Sequence, residues 1–242
     1  MMKTWAITDV GLVRKENQDA YRIARGGDVC VVCDGMGGAA GGQIASTLAA
    51  ETYAAELEKI LKPDMNPEQL REASSYAVAM ANLAVENRAS EDDELSNMGT
   101  TLVSAIAYEG GAVVTNVGDS RAYYITRAGI TRITKDHSLV ESMVDHGDIT
   151  ADEARHHPSR NLITRALGRD TNASCDGYIR PMEKGDYLLL CTDGLVNTVT
   201  DQEMLFEVLH GQDEDSCLHR LMEIAKSQGA PDNVTAVLMR ML

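Results

Sequence analysis

Four acidic turns, each beside an apolar run with the character of a β-strand, constrain this chain more than any other feature. They are Asp34-Gly35, Gly118-Asp119, Asp193-Gly194 and Asp232-Asn233, and they extend from the first fifth of the 242 residues almost to the end. One such turn is ordinary, whereas four indicate several strands that end by pointing carboxylates at one place. A site built from all four requires residues 1–242 to fold as a single domain.

A cluster of carboxylates has a definite chemical consequence. The negative charges repel one another unless the groups share protons or hold cations. Oxygen ligands without a histidine or thiolate partner favour hard ions such as Mg²⁺ or Mn²⁺. The turns therefore predict a metal centre, and metal-assisted hydrolysis is the chemistry that such a centre performs.

The charge balance limits the partners of the chain. It carries 22 Lys and Arg against 37 Asp and Glu, a formal net charge of −15. Such a field repels nucleic acid and anionic membranes, so we expect neither as a partner. The N-terminus shows no signal-peptide pattern and no stretch reaches the ~18 apolar residues of a membrane helix, so the predicted location is cytoplasmic.

The five cysteines are odd in number and scattered, which does not favour a disulfide framework. Cys30 and Cys33 have the spacing of a metal-binding pair but lie in an apolar strand. Residues three apart on a strand face opposite sides. The cysteines are therefore predicted to be buried structural thiols in a reducing compartment.

Hydrophobic periodicity predicts a mixed α+β chain with antiparallel strands. The early part reads as strands and two long helices, and residues 100–126 read as a three-stranded meander with hairpin turns at residues 109–111 and 118–119. Residues 136–170 are polar and irregular with helical patches. The predicted strands are residues 3–8, 20–24, 29–33, 101–108, 112–117, 121–126, 187–192 and 234–239, and the predicted helices are residues 42–61, 67–87, 201–209 and 216–228.

Taken singly, each candidate motif has a plain structural interpretation. Residues 14–19 can be a charged turn, the glycine-rich run after Asp34 a flexible strand–helix turn, and Gly118-Asp119 a hairpin turn. One such motif beside a strand can easily occur by chance. The chance occurrence of all of them, in this order and beside strands, is much less expected. Four histidines of the polar segment are predicted to be exposed polar contacts, with substrate contact as the alternative: His137, His146, His156 and His157.

Together the motifs resemble the metal-dependent Ser/Thr protein phosphatase family (type 2C, PPM) in its compact bacterial form. The resemblance covers nearly the whole chain, and residues 136–170 match the family's flap. The matching motifs, in order, are Arg14-x-x-Asn17-Gln18-Asp19, Asp34-Gly35-Met36-Gly37-Gly38, Gly99-Thr100-Thr101, Gly118-Asp119-Ser120-Arg121, Lys135-Asp136-His137-Ser138, Gly147-x-Ile149-Thr150, His157-Pro158-x-Arg160-Asn161, Arg165-Ala166-Leu167-Gly168, Thr192-Asp193-Gly194-Leu195 and Asp232-Asn233-Val234-Thr235.

The resemblance implies an αββα sandwich of two stacked antiparallel sheets flanked by helices. It also implies two core Mn²⁺ or Mg²⁺ ions and a weaker third. Asp34 would bridge the core ions, with the Gly35 carbonyl on one of them. The other roles implied are Asp193 and Asp232 on the second core ion, Asp19 on the outer side of the Gly35 ion, Asp119 with Asp193 on the third ion, and Arg14 on the substrate phosphate.

The implied activity is hydrolysis of phosphoserine and phosphothreonine in proteins by a metal-bridging hydroxide. The implied partners are phosphorylated proteins and a bacterial Ser/Thr kinase that the enzyme opposes, with the chain acting as a monomer. This sequence has Ala39-Ala40 where many relatives carry a histidine, and the neutral side chains of Gln18 and Gln43 where relatives carry acids.

Two alternatives share the resemblance. The chain could be a catalytically silent relative that binds phosphoproteins, although such a relative would more often have lost one of Arg14, Asp34, Asp193 and Asp232. It could also hydrolyse small phosphorylated molecules on the same fold, because phosphate and metal ions are recognised in the same way. The sequence leaves this second alternative open.

Overall fold

The computed structural model describes residues 2–38, 41–169 and 174–242. Ala39 and Ala40, noted above, and residue 170 at the end of the predicted flap lie outside these ranges. The strands are β1 (Met2–Asp9), β2 (Asp19–Ala24), β3 (Val29–Met36), β4 (Gly99–Thr100), β5 (Leu102–Tyr108), β6 (Gly111–Val117), β7 (Arg121–Thr126), β8 (Gly129–Arg132), β9 (Asp176–Pro181), β10 (Tyr187–Cys191) and β11 (Val234–Met241). The α-helices are α1 (Gly41–Ile60), α2 (Pro67–Ser90), α3 (Leu139–His146), α4 (Ala151–His156), α5 (Asp193–Val196), α6 (Asp201–His210) and α7 (Glu214–Ser227).

The described strands form two antiparallel sheets. The first sheet has the order β1-β11-β10-β7-β8, and the second has the order β2-β3-β5-β6-β9 with β4 paired to β3. Helices α1 and α2 pack against the second sheet, and α6 and α7 pack against the first. The predicted α+β class and the αββα sandwich are therefore confirmed.

Three apolar layers hold this arrangement together. On β10, Leu188 and Leu190 point between the two sheets, whereas Leu189 points outward to the helices α6 and α7. Both faces of the strand are covered, which is why its sequence is a continuous apolar run. Complete burial of one such leucine contributes about 1.5–3 kcal/mol.

The two cysteines of β3 show the same alternation. Cys30 lies in the layer between the sheets, and Cys33 lies in the layer beneath α1 and α2. The prediction that they face opposite sides is confirmed. Burial raises the pKa of the Cys30 thiol to about 12, so this group remains a protonated, unreactive thiol at neutral pH.

The predicted meander over residues 100–126 is wrong after Val117. β5 and β6 form the expected hairpin, but β6 belongs to the second sheet and β7 to the first. The turn at Gly118-Asp119 therefore carries the chain from one sheet to the other. Gly118 has φ +102, and a Cβ there would lie 2.6 Å from Thr101 Cγ2, so the turn requires glycine.

Three strands went unpredicted: β4, which has only two residues and pairs with β3, and the two edge strands β8 and β9. β9 alternates between half-buried and exposed residues and contains both glycine and proline, so its apolar signal is weak. β8 is only four residues long. Each pairs on one side with a strand that was predicted, β6 and β7 respectively.

The polar segment contains two short helices with standard end signals. Ser138 caps α3, which ends at Gly147 with φ 76, and Thr150 forms a capping box with Glu153 at the start of α4. The helical patches predicted there are confirmed. None of the helices within the described ranges has the length and apolar character needed to cross a membrane.

Candidate active site

The predicted carboxylates come from neighbouring strands of both sheets. In the second sheet, Asp34 on β3 is the direct pairing partner of Asp19 on β2. In the first sheet, Asp193 follows β10 and Asp232 precedes β11, and these two strands pair with each other. Because β10 and β11 are antiparallel, the end of one lies beside the start of the other.

A cavity of about 570 Å³ lies where these strand ends meet. Six of the seven predicted site residues line it: Arg14, Asp34, Gly35, Asp119, Asp193 and Asp232. Asp19 does not line the cavity; it is only 8 % exposed and is the strand partner of the cavity-lining Asp34. The Thr192 hydroxyl donates to Asp19 Oδ2 at 2.9 Å.

The flap also contributes to the cavity wall, through Asn161 and Ile163. Asn161 lies in one of the sequence motifs without an assigned role, and Ile163 lies in none of them. Ile163 is held by an isolated β-bridge to Ser138, immediately before α3. This pairing joins the two ends of a polar segment, and hydrophobic periodicity does not reveal such a contact.

The carboxylates strongly disturb one another's ionisation. Burial, followed by the charges of Asp19 and Asp193, raises the pKa of Asp34 well above its usual range. Burial also raises the pKa of Asp19 and of Asp119 to about 7, and it raises the pKa of Asp193. The cluster is therefore poised to hold protons or cations at neutral pH.

Two buried oxygens test whether metal ions fit this cluster. Asp19 Oδ1 and Asp193 Oδ1 have no hydrogen-bond partner within the described structure. Buried carboxylate oxygens are rarely left in this state, and a cation would satisfy both. Within the described ranges, no three His, Cys, Asp or Glu side chains form a site for one ion on their own. Mg²⁺ characteristically uses one or two carboxylates and keeps several waters, so the residues present fit a hydrated hard cation.

Arg14 stands at the rim of the cavity beside the carboxylates. Its Nη2 donates to Asp232 Oδ2 at 2.8 Å, and its side chain is 55 % exposed. The hydrogen bond with Asp232 raises the pKa of Arg14. One edge of the guanidinium is thus oriented by Asp232 while the group remains accessible from solvent.

Asn233 fastens the Arg14 loop to the start of β11. Its Oδ1 accepts from the Gln18 backbone N–H at 2.8 Å, and its Nδ2 donates to the carbonyls of Val10 and Glu16 at 2.9 and 3.0 Å. Asn233 belongs to the sequence motif at residues 232–235, which assigns it no role. Its role here is to hold the loop that presents Arg14.

Gly194 allows the Asp193 and Asp232 turns to approach each other, and Gly194→Ala tests this contact. A Cβ at this position would collide with the backbone carbonyl oxygen of Asn233. We expect a loss of about 1–3 kcal/mol in the free energy of unfolding, measured by urea denaturation, together with weaker Mn²⁺ binding. Gly177→Ala is the control, because its Cβ would meet only the flexible Arg71 side chain. Equal stability of the two variants would contradict the close approach.

The prediction for the flap histidines is partly wrong. His146 and His156 are exposed as expected, but His137 is only 7 % exposed. Its ring accepts a hydrogen bond from the Gly118 backbone N–H at 3.1 Å. The motif at residues 135–138 precedes a helix and reads as polar, so sequence alone gave no sign of this burial.

A model of the protein phosphatase 2C family matches residues 13–239. Among curated relatives, the serine/threonine protein phosphatase PstP of Mycobacterium tuberculosis is 38 % identical over 235 residues, which are 96 % of this chain and 44 % of PstP. The serine/threonine phosphatase stp of Listeria monocytogenes is 32 % identical over 235 residues, 96 % of this chain and 93 % of the relative. The chain thus spans less than half of PstP and nearly all of the Listeria protein.

Solved structures agree with this match. The serine/threonine phosphatase Stp1 from Staphylococcus aureus superposes with a TM-score of 0.93 at 34 % identity, covering 100 % of this chain and 96 % of that one. The catalytic domain of PstP in complex with two manganese ions has a TM-score of 0.85 at 33 % identity, covering 99 % of this chain and 97 % of that one. This chain belongs to the protein phosphatase 2C family of metal-dependent serine/threonine phosphatases.

Proposed function

We propose that this chain hydrolyses phosphoserine and phosphothreonine in proteins and depends on Mn²⁺ or Mg²⁺. The observation that carries the proposal is the cavity in which carboxylates from both sheets meet Arg14. A transferring phosphoryl group is stabilised mainly by positioning and electrostatics, and the cavity offers groups for both. The Listeria and Mycobacterium relatives are named as phosphatases of this kind, which supports the assignment.

The metal ions would be held by the carboxylates already described. Asp34 is proposed to bridge two core ions, with the Gly35 carbonyl and Asp19 on one ion and Asp193 and Asp232 on the other. Asp119 with Asp193 would hold a third, weaker ion. When bound, such dications neutralise phosphate charge and make a nucleophile available from water at neutral pH. The buried oxygens of Asp19 and Asp193 without hydrogen-bond partners support these assignments.

Arg14 is proposed to bind the phosphate of the substrate. A guanidinium presents a planar fork of donors that matches two phosphate oxygens. The hydrogen bond from Arg14 to Asp232 leaves other donors of the fork available and sets its orientation. Asp232 would thereby serve two purposes, as a metal ligand and as the group that aims Arg14.

The biological setting is also a proposal. The substrates would be phosphorylated proteins, and the kinase opposed would be a bacterial Ser/Thr kinase. We further propose that residues 1–242 fold as one domain, that the chain acts as a monomer, and that it is cytoplasmic. The last point is supported by four buried free thiols, Cys30, Cys33, Cys191 and Cys217, which suit a reducing compartment.

Phosphate release from a phosphothreonine peptide, compared with a sugar phosphate, tests the proposed substrate class. The protein is first treated with a chelator, and Mn²⁺, Mg²⁺ or Ca²⁺ is then added back. We expect Mn²⁺ to restore turnover of the peptide and the sugar phosphate to react at least about a hundredfold more slowly in kcat/KM, a difference of about 2.7 kcal/mol in transition-state stabilisation. Faster turnover of the sugar phosphate would assign a small-molecule phosphohydrolase instead. A folded protein without turnover on either substrate would indicate a silent phosphoprotein binder.

A further inference from the structure

The turn that carries Asp119 is held from the flap side by one residue, His137. The Gly118 backbone N–H donates to His137 Nδ1 at 3.1 Å, and the His137 backbone N–H donates to the Gly118 carbonyl at 2.9 Å. Both polar backbone groups of the residue before Asp119 are thus bound to the same histidine. The His137 carbonyl in turn accepts from the Thr164 N–H at 2.7 Å, next to the cavity-lining Ile163.

The hydrogen bonds fix the protonation of the His137 ring. Because Nδ1 accepts a hydrogen bond, the neutral ring carries its proton on Nε2. Nε2 lies 3.3 Å from Asp176 Oδ2 and 3.2 Å from Arg165 Nη1, and Arg165 Nη1 lies 3.2 Å from Asp176 Oδ1. Because a guanidinium only donates, the Nε2 proton is directed to Asp176. Burial lowers the pKa of His137, which favours the neutral ring that the bond from Gly118 needs.

The other side of the turn is tied to the strand that carries Asp34. The hydroxyls of Ser120 and Thr101 are 2.7 Å apart, and the Thr101 hydroxyl accepts from the Asp34 backbone N–H at 2.9 Å. Asp119 therefore stands between one anchor that leads to the core carboxylates and a second that leads to the flap. One of the two hydrogen bonds of the second anchor depends on the ring of His137, and the other is made by the His137 backbone N–H.

We propose that His137 is a positioning residue. The hydrogen bond that its ring accepts from Gly118 orients the Asp119 carboxylate into the cavity and links that orientation to the flap. The inference rests on the proposed metal-holding role of Asp119. It assigns distinct functions to the two ring nitrogens. Nδ1 holds the turn, and Nε2 holds the ring on Asp176.

Two substitutions separate the two nitrogens. In His137→Asn, the amide oxygen can occupy the place of Nδ1 and accept from Gly118, but the shorter side chain does not reach Asp176. In His137→Gln, the longer side chain places an amide near Nε2 and within reach of Asp176, but it leaves the Gly118 N–H without an acceptor. His219→Asn is the matched surface control, since the side chain of His219 is 65 % exposed.

The measurement is calorimetric titration of the chelated protein with Mn²⁺, combined with thermal unfolding of the metal-free variants. We expect His137→Gln to weaken the weakest Mn²⁺ step about tenfold or more, as is common when partners of metal ligands are lost. His137→Asn should keep that step within about threefold of the unmodified protein. The tighter steps should be unchanged in both variants.

Three results would overturn the inference. If both variants lose thermal stability while every Mn²⁺ step is retained, His137 serves only the stability of the fold. If His137→Asn weakens the step as much as His137→Gln does, the bond from Gly118 is not the link. Asp119→Asn identifies the step that belongs to Asp119. An unchanged isotherm for that variant would reject the metal-holding role of Asp119 itself, and the proposal for His137 with it, while leaving the core site standing.

Discussion

Asp193→Asn is expected to remove Mn²⁺-dependent phosphate release from phosphopeptides almost completely. The substitution keeps the volume of the side chain and an oxygen that can accept the 3.1 Å bond from Asn197 Nδ2. It removes the negative charge from a residue proposed to serve two ions. Loss of partners that only orient metal ligands costs about 10–100-fold, so loss of a ligand should lower kcat/KM by at least about a hundredfold.

The control for this experiment is Asp201→Asn, the same change eight residues along, on the exposed first residue of α6. It should leave turnover unchanged. Steady-state kinetics over a range of Mn²⁺ concentrations, with calorimetric titration in parallel, would show whether a binding step disappears with the activity. Turnover by Asp193→Asn within a few-fold of the unmodified protein at saturating Mn²⁺ would reject the assignment of this ligand.

Much of the architecture could be predicted because its signal is local. The long helices α1 and α2 show helical periodicity, and the strands β3, β6 and β10 are buried on both faces and therefore read as apolar runs. The acidic turns stood out because each follows or precedes such a strand. The expectation that they converge required only that the strands end at the same edge of the two sheets.

What could not be predicted depends on pairing between distant segments. A tight turn rich in glycine and aspartate joins two strands of one hairpin in most contexts, yet Gly118-Asp119 connects two different sheets. The alternation of inward and outward residues is the same in either case, so the sequence of β7 does not reveal its sheet. Recognition of this crossing matters for function, because it brings Asp119 to the carboxylates of both sheets.

The burial of Asp19 and His137 could not be predicted from the sequence, for a related reason. Both lie in polar stretches, and each is buried through contacts with residues far along the chain. The Thr192 hydroxyl binds Asp19 from 173 residues away. Local polarity therefore indicated exposed positions, while the tertiary arrangement enclosed the two side chains with hydrogen-bonding partners.

The metal-free protein should become less stable as the pH rises from 5 to 8, and Asp119 should account for a measurable part of the loss. Its pKa is about 7 in the folded chain against an ordinary value of 3.8. Between these values the folded state binds the proton more tightly than the unfolded state. The free energy of unfolding therefore falls as rising pH removes that proton. For one such group the fall between pH 5 and pH 8 is about 2–3 kcal/mol.

Urea denaturation of the chelated protein and of Asp119→Asn, across this pH range, isolates the effect. The variant lacks the titrating group, so the difference in unfolding free energy between the two proteins should change with pH by that amount. The lowered pKa of His137 acts in the opposite direction below about pH 6.5, but it is present in both proteins and cancels in the difference.

Mn²⁺ should reverse the pH trend, because a bound cation stabilises the ionised carboxylates that repulsion otherwise destabilises. At a hundred times its dissociation constant, one bound ion adds about 2.7 kcal/mol to the free energy of unfolding. The stabilisation should be larger at pH 8 than at pH 5, where protons compete for the same oxygens. The difference in unfolding free energy between the metal-free protein and Asp119→Asn could instead be constant from pH 5 to pH 8. That result would show that the Asp119 carboxylate is already ionised at pH 5 at no cost in stability. In that case the need to offset carboxylate repulsion would not be what drives metal binding at this position.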